Sequence, residues 1–341
     1  MENNGISILI STFNGVSRLS KTLESLAKLD ILGISFVELI LIDNASTDNT
    51  FEFSKKKWSE LGAPFKMKLL YEKKSGKFHA QESGLKIAKG EYILICDDDN
   101  LLFSNYLQVG FQYLSNNFKV GVLGGKGIPK SDIKLPIWFE EYSYNFACGK
   151  QALKTGNVVP IRNVVYGAGM WFRKELYLNA KLLGFNFTCN FSKSNEDSKL
   201  FSNGGEDSEL CWAIRFQGAE IWYIDSLCFY HNLPQERLTD QYLAHLKSRV
   251  NSNGPYGAIY SRVFYSNWII HVKLFWMKEL IHSFIYLFKI LMYLNIKNRK
   301  IEIKRTFKNI FFYCSERSKY DLRVNHLIDY KSNILKQFIE N

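Results

Sequence analysis

The chain has 341 residues, 46% of them hydrophobic and 23% charged, which is the composition of a globular protein with a sizeable core and excludes a disordered chain or a collagen-like or repeat fibre. Its formal charge is +11, and the excess is local: residues 241–341 hold 17 basic and 6 acidic residues, whereas the first 240 hold 27 of each. That distribution argues against a nucleic-acid binder, whose basic residues should line a groove among exposed aromatics. The six cysteines show no CxxC and no regular spacing, and the N-terminus lacks a basic segment followed by a long apolar one. Free thiols and a cytoplasmic location are therefore expected.

Apolar runs at residues 6–10, 36–42, 67–71 and 92–96 predict four short strands. Between them Leu19, Leu23, Leu26 and Leu29 recur at helical spacing, Asp48 can cap a helix running to about Leu61, and residues 81–89 read as a third helix closed by Gly90. Strands alternating with helices imply βαβ crossovers, hence an α/β fold around a mostly parallel sheet flanked by helices. Ligands of such sheets bind at the carboxyl ends of the strands. Ser11 and Thr12 follow the first run, Asp43 the second, and Asp97, Asp98 and Asp99 the fourth. Three loops should converge on one acidic crevice.

Further on, Gly121, Gly124, Gly125 and Gly127 read as turns, residues 126–160 as a loop and 164–172 as an apolar block. Gly204-Gly205-Glu206-Asp207 opens a helix expected over 208–217, a strand is expected over 221–224, and His231 lies beyond it. Three consecutive aspartates repel one another, and a divalent cation relieves that repulsion. Carboxylates suit a hard ion such as Mg²⁺ or Mn²⁺, which takes phosphate oxygens as further ligands.

The ordered set of Ile8-Leu9-Ile10-Ser11-Thr12-Phe13-Asn14, Asp43-Asn44-Ala45-Ser46-Thr47-Asp48, Gly90-Glu91-Tyr92-Ile93 leading to Asp97-Asp98-Asp99, Gly167-Ala168-Gly169-Met170-Trp171, Gly205-Glu206-Asp207-Ser208-Glu209-Leu210 and His231 resembles family 2 glycosyltransferases of the GT-A fold. The likeness covers about residues 5–235. It implies that residues 1–120 form the nucleotide-sugar half of the domain, 121–240 the half holding acceptor and catalytic base, and 241–341 a helical extension. By resemblance, Ser11, Thr12 and Asp43 lie against base and ribose. Asp99, Asp97 and His231 would hold Mn²⁺ or Mg²⁺, with His231 a further metal or diphosphate contact, Asp97 also on the ribose or sugar side and Asp98 able to share either role. Asp207 would be the catalytic base, with Glu206 binding acceptor or orienting the base. Many members carry Arg-Asn where this chain has Gln81-Glu82, which makes Lys77 the nearest candidate for the donor phosphates or sugar. The implied reaction is inverting, metal-dependent transfer from a nucleoside-diphosphate sugar, with UDP as the expected nucleotide, to a hydroxyl of a glycan or lipid-linked glycan in surface polysaccharide or glycolipid synthesis. Two other readings compete. A nucleotidyltransferase of similar α/β fold would need a Gly-rich basic loop after the first strand, which Ser11-Thr12-Phe13-Asn14 lacks. Retention of the acidic motifs and His231 argues against an inactive sugar-binding relative.

Residues 265–294 are rich in aromatic and aliphatic side chains, with Phe275, Leu280, Phe284, Leu287, Phe288 and Leu291 near helical spacing. Lys273, Lys278, Glu279 and Lys289 interrupt them, so no transmembrane helix is predicted. Lys297, Arg299, Lys300, Lys304, Arg305 and Lys308 follow. Two readings stand side by side: an interfacial segment over 265–308 on anionic lipid, placing the enzyme peripherally on the inner face of the cell membrane, or a helical subdomain packed on the core with its charges solvated.

Overall fold

The structure is a computed structural model and describes residues 5–159, 162–187, 205–267, 273–293 and 296–340. Strands β1 (Gly5–Thr12), β2 (Phe36–Asp43) and β4 (Tyr92–Ile95) are buried almost throughout. Burial on both faces is why they read as continuous apolar runs rather than alternating ones. Strand β3 (Lys66–Tyr71) ends the sheet and is half-exposed; its lysines blunt an edge that would otherwise invite pairing with another chain. Helix α1 (Val16–Leu26) buries Leu19, Thr22, Leu23 and Leu26 against Ile8 and Ile10. In front of α2 (Thr50–Glu60), Asp48 Oδ1 accepts the Thr50 N–H at 3.1 Å. Helix α3 (Lys77–Ile87) begins four residues before the expected start, because Gly76, at φ +127°, supplies the sharp entry. Lys77 is thereby the first residue of the helix.

The rest of this unit comprises β5 (Asn100–Leu102), α4 (Tyr106–Asn116), β6 (Val120–Lys130), α5 (Phe139–Tyr142), β7 (Gly156–Asn157), β8 (Trp171–Arg173), α6 (Lys174–Leu182), α7 (Glu206–Phe216) and β9 (Glu220–Asn232). Among the described residues the sheet runs β3-β2-β1-β4-β8-β6-β9-β5, with β7 paired to β9. It is parallel across β3-β2-β1-β4. Beyond that, β8 runs antiparallel to β4 and β6, β9 lies parallel to β6, and β5 and β7 are antiparallel to β9. The sheet is therefore mixed, and its first half is wholly parallel.

Two expectations are corrected. The glycines at 121, 124, 125 and 127 make no turns; they lie inside β6, where a Cβ on Gly125 would strike the Leu227 carbonyl and one on Gly127 the Ala147 carbonyl. Close backbone approach is what glycine permits there. Likewise β9 does not stop at residue 224. It continues through register shifts against β6 to Asn232, so His231 is a strand residue, paired opposite Asn100 of β5.

The chain divides into two compact units, Met1–Ala180 with Cys189–Ala244, and Lys181–Thr188 with His245–Asn341. The helices that follow β9 are α8 (Asp240–Tyr265), α9 (Phe275–Tyr293), α10 (Ile296–Ser315) and α11 (Arg317–Glu340). In the second unit Phe275 stacks on Tyr320 at 5.9 Å and Tyr313 meets Tyr320 edge-on at 5.2 Å. Among the described residues no helix is long and apolar enough to cross a membrane. Five described cysteines are free thiols, and Cys189 lies outside the described residues.

Candidate active site

The carboxyl ends of β1 and β2 are in register, Thr12 opposite Asp43, and the Asn44 N–H donates to the Thr12 carbonyl at 2.8 Å. Asp43 is buried, and its Oδ1 accepts the Ser46 N–H at 2.9 Å, closing the turn after β2. The Asn44 side chain donates to the Lys74 carbonyl and accepts from the Gly76 N–H, both at 2.7 Å. The loop leading to Lys77 is thus tied to the end of β2. Successive side chains of a strand face opposite ways. Thr12 points with Ile8 and Ile10 toward α1, while Ser11 follows Leu9, which packs beside Gly84 of α3. The Ser11 hydroxyl is buried and has no hydrogen-bond partner among the described residues.

Strand β4 ends in the aspartate turn. Asn100 N–H donates to the Asp97 carbonyl at 3.0 Å, Asn100 Oδ1 accepts from the Asp97 N–H at 3.1 Å, and the Asn232 N–H holds the Asp99 carbonyl at 2.9 Å. The three carboxylates diverge, each to a different cation. Asp98 turns back to α1, where Arg18 grips both oxygens, Nε to Oδ1 at 3.1 Å and Nη2 to Oδ2 at 2.7 Å, and the Thr12 hydroxyl donates at 2.6 Å. Such a bidentate pair is among the stronger charged contacts, and it commits Asp98 and Thr12 to holding the turn on α1. Asp97 meets Lys77 Nζ at 2.5 Å.

Asp99 is 3% exposed and faces β9. Its Oδ1 is 3.2 Å from His231 Nε2, and its Oδ2 is 2.8 Å from Arg237 Nη1. Burial alone would raise the Asp99 pKa; the imidazole and guanidinium outweigh it and hold the carboxyl well below the usual range. His231 Nδ1 lies 2.6 Å from the Phe146 carbonyl, so Nδ1 carries the donated proton. That second contact is the kind that orients a metal-binding histidine and leaves Nε2 as the ligand atom. Neighbouring ligands of an octahedral ion with bonds of about 2.1 Å stand roughly 3 Å apart, close to the Asp99–His231 spacing. Among the described residues no three His, Cys, Asp or Glu side chains gather around a common point. A carboxylate and an imidazole nevertheless suffice where substrate phosphates complete the shell. Asp99 and His231 fit a divalent ion.

At the start of α7 the Asp207 carboxylate is fixed from both sides. Gly167 N–H donates to Oδ2 and Ser208 N–H to Oδ1, each at 2.7 Å. Glu206, Asp207 and Glu209 occupy the first turn, where the helix dipole favours acids. Gly205, at φ +116°, supplies the entry, and Gly204 lies outside the described residues. Lys77 joins the two acidic motifs. Burial would lower its pKa, yet Asp97, Glu206 and Asp207 together raise it above its ordinary value. The lysine side chain keeps 38% of its surface open. Burial pushes the Glu206 carboxyl up, Asp207 adds to that, and Lys77 only partly offsets it. Nearby, the Arg162 guanidinium stacks 3.7 Å over the Tyr144 ring, and Tyr144 feels the Asp207 charge.

The structure thus brings Lys77 onto Asp97 and within electrostatic reach of Glu206 and Asp207, sets Asp99 against His231, and places Asp43 and Ser11 at the neighbouring strand ends. Sequence reasoning missed Arg18 and Arg237, lone arginines outside any motif, Tyr144, which lies in the stretch read as loop, and Arg162, which lies just beyond it. An open cavity of about 850 Å³ lined by Lys21, Glu24, Phe103 and Tyr230 lies elsewhere; Asp43, Asp97, Asp99, Glu206 and Asp207 do not border it.

Over 134 residues, 37% of this chain and 40% of the relative, the sequence is 30% identical to poly(ribitol-phosphate) β-N-acetylglucosaminyltransferase TarP of Staphylococcus aureus strain N315. It is 27% identical over 134 residues, 38% of this chain and 23% of the relative, to TarS of S. aureus strain MW2. The matched segments span well under half of these relatives' own lengths. In three dimensions the chain is similar to S. aureus TarS in complex with UDP-GlcNAc (TM-score 0.55, 14% identity, 98% of this chain and 92% of that one). It is also similar to the mannosyltransferase PcManGT of Pyrobaculum calidifontis in complex with GDP-Man and Mn²⁺ (TM-score 0.52, 15% identity, 92% and 87%). At that identity the likeness establishes a shared fold. The sequence model of glycosyl transferase family 2 matches residues 7–180, more than half of the chain, and the chain belongs to that family.

Proposed function

We propose that the protein transfers a sugar from a nucleoside-diphosphate sugar, in the first place a UDP-sugar, to a hydroxyl of a phosphate-bearing polyol or glycan, with inversion at the anomeric carbon. The observation that carries this reading is the position of Lys77, whose ammonium meets Asp97 of the donor-side turn and also feels Glu206 and Asp207 at the start of α7. One cation links a nucleotide-sugar motif to a candidate base, so donor and acceptor would react beside it. The UDP-GlcNAc complex of TarS supports the donor class, and the names of TarS and TarP support a polyol-phosphate acceptor. Arg162, which stacks on the Tyr144 ring, suits such an acceptor, since a planar guanidinium pairs well with phosphate.

Asp207 takes the proton from the attacking hydroxyl, its carboxylate already aimed by the Gly167 and Ser208 N–H groups. Lys77 offers its charge to the donor phosphates or sugar, and Glu206 contacts the acceptor or orients the base. Asp43 and the unpartnered Ser11 hydroxyl receive base and ribose. Asp99 and His231 would hold Mn²⁺ or Mg²⁺, with Asp97 on the sugar side; the ion supplies Lewis-acid neutralisation of the departing diphosphate. The chain's own contribution is position and preorganised charge.

The test is nucleotide release from UDP-GlcNAc, UDP-glucose and GDP-mannose, with Mn²⁺ or EDTA, in the presence and absence of a polyol-phosphate oligomer. Acceptor-stimulated release from one donor is expected. Release from none of them, or release indifferent to acceptor, would overturn the reading.

A further inference from the structure

Helix α9 is amphipathic, but its apolar stripe faces outward. Phe275, Glu279 and Ile290 mark its inner face, at most 2% exposed, and Glu279 is paired with Arg262. On the opposite side Ile281, Phe284, Ile285, Phe288, Leu291 and Met292 are 49–65% exposed. Their spacing of i, i+3, i+4, i+7, i+10 and i+11 is that of one helix face. Half a dozen large apolar side chains in one line exceed the scattered exposure that needs no explanation.

The charges around the stripe specify what would cover it. At about 100° per residue, Lys278 and Lys289 fall within about 20° of each other along one border. Helix α10, which packs along α9, exposes Lys300, Lys304 and Lys308 at i, i+4 and i+8, interleaved with exposed Phe307 and Phe311. Between residues 273 and 308 there are nine Lys or Arg and two acids. Both acids are engaged within the protein, Glu279 with Arg262, and Glu302 with Arg305 at 2.6 Å and the Tyr286 hydroxyl at 3.0 Å. The outward charge is therefore positive. A two-fold contact with a second copy would bring these lysines against their own kind. An anionic lipid surface accepts both parts, its acyl boundary taking the apolar stripe and its headgroups the lysines, whose long stems let the ammonium reach water.

We infer that α9, supported by the basic face of α10, seats this protein on anionic membrane lipid. The inference does not depend on the proposed reaction, and its test reads binding alone. The full chain is sedimented with vesicles of phosphatidylcholine alone and of phosphatidylcholine with phosphatidylglycerol, at low and high salt, alongside the double variant Phe284→Ser/Phe288→Ser and the double variant Lys304→Glu/Lys308→Glu. Both pairs are exposed, and circular dichroism checks that the fold is kept. Expected are binding to the anionic vesicles, weakening in salt, and a loss of about tenfold or more in each variant. No binding to anionic vesicles at low salt, or binding untouched by both variants, overturns the inference. So does a dimer in sedimentation velocity that the Phe variants dissolve, since it would assign the stripe to a second copy.

Discussion

The carboxylate of Asp207 rests against the backbone of Gly167, whose N–H donates to Oδ2 at 2.7 Å. The fit is tight: a Cβ on residue 167 would stand 3.0 Å from the Asp207 Cβ and 3.2 Å from Oδ2. Gly167→Ala should push the proposed base aside by a few tenths of an ångström without disturbing the Asp97–Asp99 turn. Since displacement of about 1 Å can cost about a hundredfold in rate, a fall of about tenfold in kcat at unchanged donor KM is expected from steady-state assays. An unchanged kcat would mean that Asp207 has no demanding position to keep.

Asp98 and Asp99 are neighbours with opposite expected roles, and Mn²⁺ titration in the presence of UDP separates them. Asp99→Asn and His231→Gln should each weaken Mn²⁺ binding tenfold or more. Asp98→Asn should leave that affinity intact and instead lower stability by about 1–3 kcal/mol in urea unfolding, because it spoils a largely buried bidentate pair with Arg18. Loss of Mn²⁺ binding in the Asp98 variant would reverse the assignment.

Lys77→Ala removes the cation that Asp97, Glu206 and Asp207 share. Glu206 already stands above its ordinary pKa through burial, and the ammonium is what restrains it. Without Lys77 the Glu206 pKa must rise further. The acid limb of the kcat profile should then move to higher pH, by about one unit for a lost charge partner, and donor affinity should fall. A profile that drops in height without moving would leave Lys77 a role at the phosphates alone.

Glu38 offers a pH test of stability away from the site. Its side chain is fully buried in β2, accepting from the Ser7 hydroxyl at 2.8 Å and the Lys89 N–H at 2.7 Å, with Lys68 Nζ at 2.6 Å. Burial raises its pKa, but these three partners outweigh it and hold the carboxyl below its ordinary value. A depressed carboxyl contributes its stability fully above the unfolded pKa of about 4.3, and loses it as pH falls through the folded value. Urea unfolding should therefore decline more steeply below about pH 4.3 in the wild type than in Glu38→Gln. Parallel curves would contradict the pairing.

The strand ends were legible in the sequence because burial on both faces turns β1, β2 and β4 into unbroken apolar runs that stop where the polar loops begin. That pattern alone puts Thr12, Asp43 and Asp97 at one edge of the sheet. Direction was not legible. Adjacent aspartates look alike in a sequence, and only the turn made by Asn100, with Arg18 on one side and His231 on the other, tells Asp98 from Asp99. The glycines of β6 misled because turn formation and close backbone approach call for the same residue. Arg237 carries no local pattern at all; its role comes from an ion pair across 138 positions of sequence.

The most direct measurement is of Asp207→Asn, comparing UDP-sugar binding by calorimetry with transfer to acceptor in single turnovers. Asparagine keeps the side chain's shape but cannot take a proton, so donor affinity should stay within about twofold while transfer falls by about 10² to 10⁴. Near wild-type transfer would show that the proton leaves by another route and that this carboxylate is not the base; loss of donor binding together with transfer would place Asp207 on the donor side instead.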